Sequence, residues 1–285
     1  MAHFDEASFT NSDGLSLHYR DYNMPPSPNT VICLPGLTRN ARDFEALAER
    51  LSERARVICP DMRGRGGSQW DPRPERYAPP TYVADIRELM AHLSIGQAHF
   101  VGTSLGGILT MITAATSPGV VQTAILNDIG PHIEPAGIQR IQSYVGKVEG
   151  VKDWDAAVQA CKTMMADAYP TFDDDDWRDF ARSIFAERDG GPVLDYDPAI
   201  AENLNADSSE VLPDLWPVFE ALTGIPTLAL RGELSDILSA ETLAAMERGH
   251  PRLTAVTVPD VGHAPTLKEP ASVAAIEQFL EPHLK

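Results

Sequence analysis

Short uninterrupted apolar runs, separated by segments with helical spacing, set the rhythm of this chain. Thr30–Leu34 (TVICL) and Arg56–Cys59 (RVIC) have no polar alternation. Strands buried on both faces read this way, and they occur in parallel sheets covered by helices. Between the two, Asp43–Arg54 places Phe44, Leu47, Ala48 and Leu51 at helical spacing. Strand, helix, strand at this spacing is a parallel crossover. The first residues differ. Ala2–Thr10 and Leu15–Tyr22 flank the turn-rich Asn11-Ser12-Asp13-Gly14, and Leu15, Leu17 and Tyr19 alternate with polar neighbours. That pattern predicts a hairpin with one buried face.

The alternation continues downstream. A helix is expected from a Thr81 cap to Leu93, with Val83, Ile86, Leu89, Met90 and Leu93 on one face. The strand Ala98–Val101 leads into a helix from about Leu105 to Ala115, and Val120–Asn127 is a further apolar strand. Near the C-terminus, Pro226–Arg231 and Leu253–Val258 read as strands, with helices near Leu238–Glu247 and Ala271–Leu280. The expected architecture is an α/β fold: a mostly parallel eight-stranded sheet with helices on both faces. Residues 131–223 break the rhythm and contain no strand signal. They are expected to form a helical lid inserted into a core made of residues 1–130 and 224–285.

Composition narrows the field. The 285 residues are 43% hydrophobic and 22% charged, with 23 basic and 41 acidic side chains, a net charge of −18. Residues 131–223 carry 19 acidic and 7 basic side chains, −12 of that total. Such a chain repels phosphate backbones and anionic membranes, so neither nucleic acid nor membrane is expected as a partner. The three cysteines, Cys33, Cys59 and Cys161, show no metal-ligand spacing, and no metal or other cofactor is expected. No signal-peptide pattern and no apolar run long enough to span a bilayer is present, so a cytoplasmic location is expected. A monomer and a homodimer both remain open.

The chemistry-bearing motif is Gly102-Thr103-Ser104-Leu105-Gly106, between an apolar strand and an apolar helix. In that setting the turn is so sharp that the serine is held in strained backbone, its hydroxyl raised above the sheet. A serine alcohol needs a base. Among eight histidines, His263 follows the last strand and the turn Pro259-Asp260-Val261-Gly262, whereas His18, His92, His99, His132, His250 and His283 lie in less suitable places. An acid must orient the imidazole. Asp236, beyond Pro226–Arg231, completes the order Ser104, Asp236, His263 and is favoured; Asp128, after Val120–Asn127, is the competitor. The loop Asp61–Ser68 interleaves glycines with Arg63 and Arg65 and reads as a tight loop rather than a catalytic one. The acidic run Asp173–Asp176 lacks the spacing of a calcium loop and reads as a solvated helix start.

Together with Leu34-Pro35-Gly36-Leu37 and Asp61–Ser68, these motifs make the chain resemble the α/β-hydrolase superfamily, in its lidded, esterase-like branch. The resemblance covers almost the whole chain. It implies an oxyanion hole built from the backbone N–H groups of Leu37 and Leu105, although Pro35 stands where the family usually has histidine. It implies a serine hydrolase that cleaves a carboxylic ester of a small-molecule acyl substrate through an acyl-enzyme. Carbon–carbon bond hydrolysis, lactone hydrolysis and acyl transfer are the alternatives on the same residues. A ligand sensor without turnover is the alternative of another class.

Overall fold

The two uninterrupted apolar runs do become fully buried strands. In the computed structural model, which describes residues 4–22, 27–148, 150–206 and 214–284, β3 (Thr30–Leu34) is buried along its whole length. The next strand, β4 (Arg56–Pro60), is buried at all but its first residue. They pair in parallel, with α1 (Glu45–Leu51) in the crossover. The hairpin upstream is β1 (Asp5–Thr10) and β2 (Ser16–Tyr22), paired antiparallel. The expected start of this hairpin at Ala2 lies outside the described residues.

The chain then runs α2 (Pro79–His92), β5 (Ala98–Thr103), α3 (Leu105–Thr116) and β6 (Val121–Asn127). Helix α2 begins two residues before the expected cap. Ala78 is the N-cap, and Pro79 and Pro80 fill the first positions. Proline loses nothing there, because its missing N–H would have no helical acceptor and its φ is already helical.

After β6 the chain forms α4 (Pro135–Tyr144), α5 (Trp154–Met165) and α6 (Asp174–Ile184), then β7 (Phe185–Arg188), β8 (Gly191–Leu194), α7 (Ile200–Ala206) and α8 (Trp216–Glu220). It returns through β9 (Thr227–Gly232), α9 (Ala240–Gly249), β10 (Leu253–Val258) and α10 (Pro270–Leu280). The sheet has eight strands in the order β1-β2-β4-β3-β5-β6-β9-β10. Pairing is parallel from β4 to β10 and antiparallel at β1–β2 and β2–β4. Two apolar layers cover it, one around Phe100, Leu109 and Leu126, the other around Val31, Val101 and Leu230.

The segment between β6 and β9 departs from expectation in two respects. It contains the antiparallel hairpin β7–β8, turning at Asp189-Gly190 with both residues at positive φ. The strands are four residues each, too short for alternation to stand out. The end of the segment also behaves differently from the rest. Helix α8 packs on α3, and Phe219 and Leu222 are buried in the sheet's own core. Asp173–Asp176 is a helix start: the Asp173 carboxylate accepts the Asp175 and Asp176 amides, and Asp176 returns a bond to the Asp173 amide. Among the described residues, no helix is long and apolar enough to cross a membrane.

Candidate active site

Ser104 stands at the end of β5 with φ 52° and ψ −114°, outside the regions an L-residue favours. The flanking glycines explain how so tight a turn closes. A Cβ on Gly106 would lie 2.0 Å from the Leu34 carbonyl oxygen, and one on Gly102 would lie 2.3 Å from the Gly106 oxygen. The turn is pinned by the Ser104 amide, which donates to the Asn127 carbonyl at 2.9 Å. Helix α3 starts at Leu105, so the Leu105 N–H has no acceptor within the helix. The positive end of the helix dipole therefore lies beside the serine.

His263 is 7% exposed, and its Nε2 lies 2.9 Å from Ser104 Oγ. Its Nδ1 lies 2.7 Å from Asp128 Oδ2. An Nδ1–H donating to the carboxylate leaves the Nε2 lone pair free to accept from the serine hydroxyl. Asp128 is wholly buried, at the end of β6, in a left-handed conformation with φ 55°. Its Oδ1 accepts the Gly232 amide at 2.7 Å, and its Oδ2 also accepts the Ser235 hydroxyl at 2.6 Å. Ser235 Oγ in turn accepts the Ile237 and Leu238 amides. The carboxylate is thus held by donors on three sides, as a buried charge requires.

Asp236 does not make the contact expected of it. Its carboxylate faces α4 and forms a two-pronged pair with Arg140, at 2.5 and 2.8 Å. Burial opposes its charge, but the hydrogen bonds and charge of Arg140 hold its carboxyl below the ordinary carboxylate value. Gly137 fixes this geometry, because a Cβ there would stand 2.4 Å from the Asp236 carbonyl oxygen. The ends of β6 and β9 are neighbours, so both candidate acids approach the histidine loop. The β9 loop presents Ser235 to that site and turns Asp236 outward.

Gly36 lies against the serine, where a Cβ would be 3.8 Å from Ser104 Cβ, and Leu37 lines the same cavity. Among the described residues, neither the Leu37 amide nor the Leu105 amide has a hydrogen-bond acceptor within the chain. Both are therefore available to a ligand oxygen. Sequence reasoning missed Asn127, whose amide donates to Thr103 Oγ1 at 3.0 Å and to the Pro265 carbonyl at 2.8 Å. It ties the serine turn to the histidine loop. The only sequence signal for it was its place at a strand end.

A cavity of about 400 Å³ opens in front of Ser104 and His263. Half of its wall comes from the segment between β6 and β9, including Ile141, Val145, Met165, Phe172 and Phe180. Tyr169, Phe172, Trp177 and Phe180 form one aromatic cluster, with ring centroids 4.5–6.3 Å apart. The Tyr169 hydroxyl donates to the Ala264 carbonyl at 2.8 Å, and the Gly262 amide donates to the Ala168 carbonyl at 2.7 Å. The inserted segment thus holds the histidine loop from above. On the core side, Arg39 pairs with Asp43, stacks over Phe180 and donates to Ser183 Oγ at 2.6 Å.

Comparison with known proteins agrees with this architecture. The family model described as alpha/beta hydrolase fold matches residues 29–270. The chain belongs to that family, and it is a hydrolase. It is 35% identical over 269 residues to a 3-hydroxybutyrate-oligomer hydrolase of Cupriavidus necator, covering 92% of this chain and 91% of that protein. It is 32% identical to a 2-(acetamidomethylene)succinate hydrolase of Mesorhizobium japonicum, covering 94% and 92%. Among solved structures, an alpha/beta hydrolase from Novosphingobium aromaticivorans superposes with a TM-score of 0.93 at 46% identity, covering 99% of both chains.

Proposed function

We propose that the protein is a serine hydrolase of carboxylic esters working through an acyl-enzyme, with Ser104 as nucleophile, His263 as base and Asp128 as acid. The observation that carries this reading is the continuous hydrogen-bonded line from Ser104 Oγ through both imidazole nitrogens to Asp128. Asp236, favoured on chain order, has no part in that line.

In the proposed cycle Ser104 Oγ attacks the ester carbonyl while its proton passes to His263 Nε2. Asp128 stabilises the imidazolium and holds its tautomer. The carbonyl oxygen, now negative, receives the amides of Leu37 and Leu105; one such donor is typically worth ~10²–10³ in rate. His263 returns the proton to the leaving alcohol, and water then repeats the sequence on the acyl-enzyme. Within residues 131–223, the stretch from Ile141 to Tyr196 acts as a lid, since it supplies half of the cavity wall.

The similarity to a 3-hydroxybutyrate-oligomer hydrolase supports short oligoesters of hydroxy acids as the substrate class. The cavity suits them, because its apolar wall is interrupted by hydroxyls from Thr38, Thr171, Ser183 and Thr266 and by charged side chains such as Arg39 and Lys268. A fluorophosphonate probe and a plate of aryl esters, hydroxybutyrate dimers and trimers, lactones and 2-(acetamidomethylene)succinate test the reading. The expected outcome is labelling and turnover of oligoesters by the native protein and neither by Ser104→Ala. Labelling of the alanine variant overturns the nucleophile; exclusive turnover of a non-ester substrate overturns the reaction class.

A further inference from the structure

The sequence motif that the reaction leaves unused is the loop Asp61–Ser68, and within it a buried cation. Arg65 has no exposed surface. Its Nε donates to the Leu37 carbonyl at 2.8 Å. Its Nη1 donates to the Arg63 carbonyl at 2.7 Å and to the Tyr82 hydroxyl at 2.9 Å. The guanidinium carbon lies 4.8 Å from the Tyr82 ring centroid and 5.6 Å from that of Tyr77. A planar fork held between two aromatic faces has little freedom to tilt.

The glycines on either side allow this placement. Gly64 and Gly66 both have positive φ, at 78° and 55°. A Cβ on Gly64 would stand 2.7 Å from the Tyr77 ring, and one on Gly66 would overlap the Asp61 carboxylate at 2.3 Å. The same loop holds the cavity wall: the Gly66 amide donates to the Asp195 carbonyl at 2.9 Å, and the Asp197 amide to the Gly64 carbonyl at 2.8 Å. Tyr196 between them lines the cavity. One rigid loop therefore sets the position of both Leu37 and Tyr196.

We propose that Arg65 is a positioning residue that aims the Leu37 N–H at the reacting carbonyl oxygen by fixing the carbonyl of the same residue. This rests on the reading of Leu37 as an oxyanion donor. Leu37 lies in a turn, not in a strand or helix, and the Arg39 amide, donating to the Gly36 carbonyl at 3.1 Å, holds the peptide that carries the Leu37 N–H. The side-chain bond from Arg65 holds the peptide on the other side of the Leu37 Cα, so the two bonds together fix how this residue's N–H is turned. An N–H that is pre-aimed costs no reorganisation when charge develops.

The test compares Arg65→Lys and Tyr82→Phe with the native protein. Each is assayed for kcat and KM on one ester, and for inhibition by a trifluoromethyl ketone and by the product acid. The ketone adds to Ser104 as a tetrahedral oxyanion, whereas the product acid resembles the ground state. In Arg65→Lys, kcat is expected to fall about tenfold or more, a fraction of a full donor loss. KM and product inhibition stay within threefold, while ketone affinity falls in step with kcat/KM. Tyr82→Phe, which keeps the ring but loses one acceptor, shows the same pattern more weakly and carries the test if the lysine variant does not fold. Native kcat and ketone affinity in a folded variant overturn the proposal, as does a rise in KM alone. A ketone that fails to bind the native protein in a Ser104-dependent manner instead removes the oxyanion reading on which the proposal stands.

Discussion

Asp128 Oδ2 lies 2.7 Å from His263 Nδ1, although 135 residues separate the two in the chain. The contact crosses from the end of β6 to the loop after β10, passing over the end of β9. It is possible because β6, β9 and β10 are consecutive in the sheet. The same arrangement leaves Asp236, on the intervening β9 loop, free to bind Arg140 on α4. One carboxylate serves the imidazole and the other ties the inserted segment to the core.

The first prediction follows from that division. Asp128→Asn is expected to cut turnover by as much as ~10⁴ with the fold intact, because the histidine then settles in the wrong tautomer. Asp236→Asn is expected to change kcat by less than about tenfold. Its pair with Arg140 is a third exposed on the aspartate side, and pairs of that kind contribute little. Steady-state kinetics on one ester decide the matter. Greater loss in the second variant than in the first would return the acid to β9.

Glycine at position 106 is required by backbone, not by flexibility. Gly106→Ala would bring a methyl group to 2.0 Å from the Leu34 carbonyl oxygen. The first turn of α3 cannot lift off β3 cheaply, so a loss of more than about 2 kcal/mol of stability is expected. Gly96→Ala, where nothing lies within 4 Å, serves as the control and should stay within about 0.5 kcal/mol. Denaturant melts of the two variants test this.

Chain-length preference should follow the cavity wall. Ile141 on α4 is buried and faces the cavity beside Val145. Ile141→Phe adds volume there and is expected to lower kcat/KM for octanoate esters about tenfold or more, sparing acetate esters. Equal loss across the series would mean that α4 does not border the acyl site.

Acid sensitivity has a specific contributor far from the active site. Burial, and secondarily the nearby His283, lowers the His99 imidazole from about 6.5 to about 4. A base depressed in the folded state is neutral there while the unfolded chain takes up a proton. Its contribution is therefore fully present above pH 6.5 and is lost as pH falls from 6.5 toward 4. The loss amounts to at most ~3 kcal/mol. His99→Gln, which can keep the bond to Thr123 Oγ1, should flatten the stability profile across that window. An unchanged slope in thermal melts between pH 6.5 and 4 would place the acid sensitivity elsewhere.

Local patterns in the sequence determine much of this protein by themselves. Uninterrupted apolar runs of four or five residues rich in Val and Ile fit strands covered on both sides, so the parallel sheet and its crossovers were readable from TVICL and RVIC. The serine turn was readable because its two glycines answer a local steric demand, and His263 because it follows the last strand. The hairpin β7–β8 escaped notice because four-residue strands are too short to show a period. What only the tertiary structure decided are relations between segments distant in sequence. Asp128 and Asp236 both follow strands, and composition at each is alike. Which one meets the imidazole depends on how the β9 loop turns, and that turn is set by Ser235 against Asp128 and by Gly137 against the Asp236 backbone. The tasks of Asn127 and Arg65 are of the same kind. Each is an ordinary polar residue until packing places one of its donors beside a carbonyl of a distant loop.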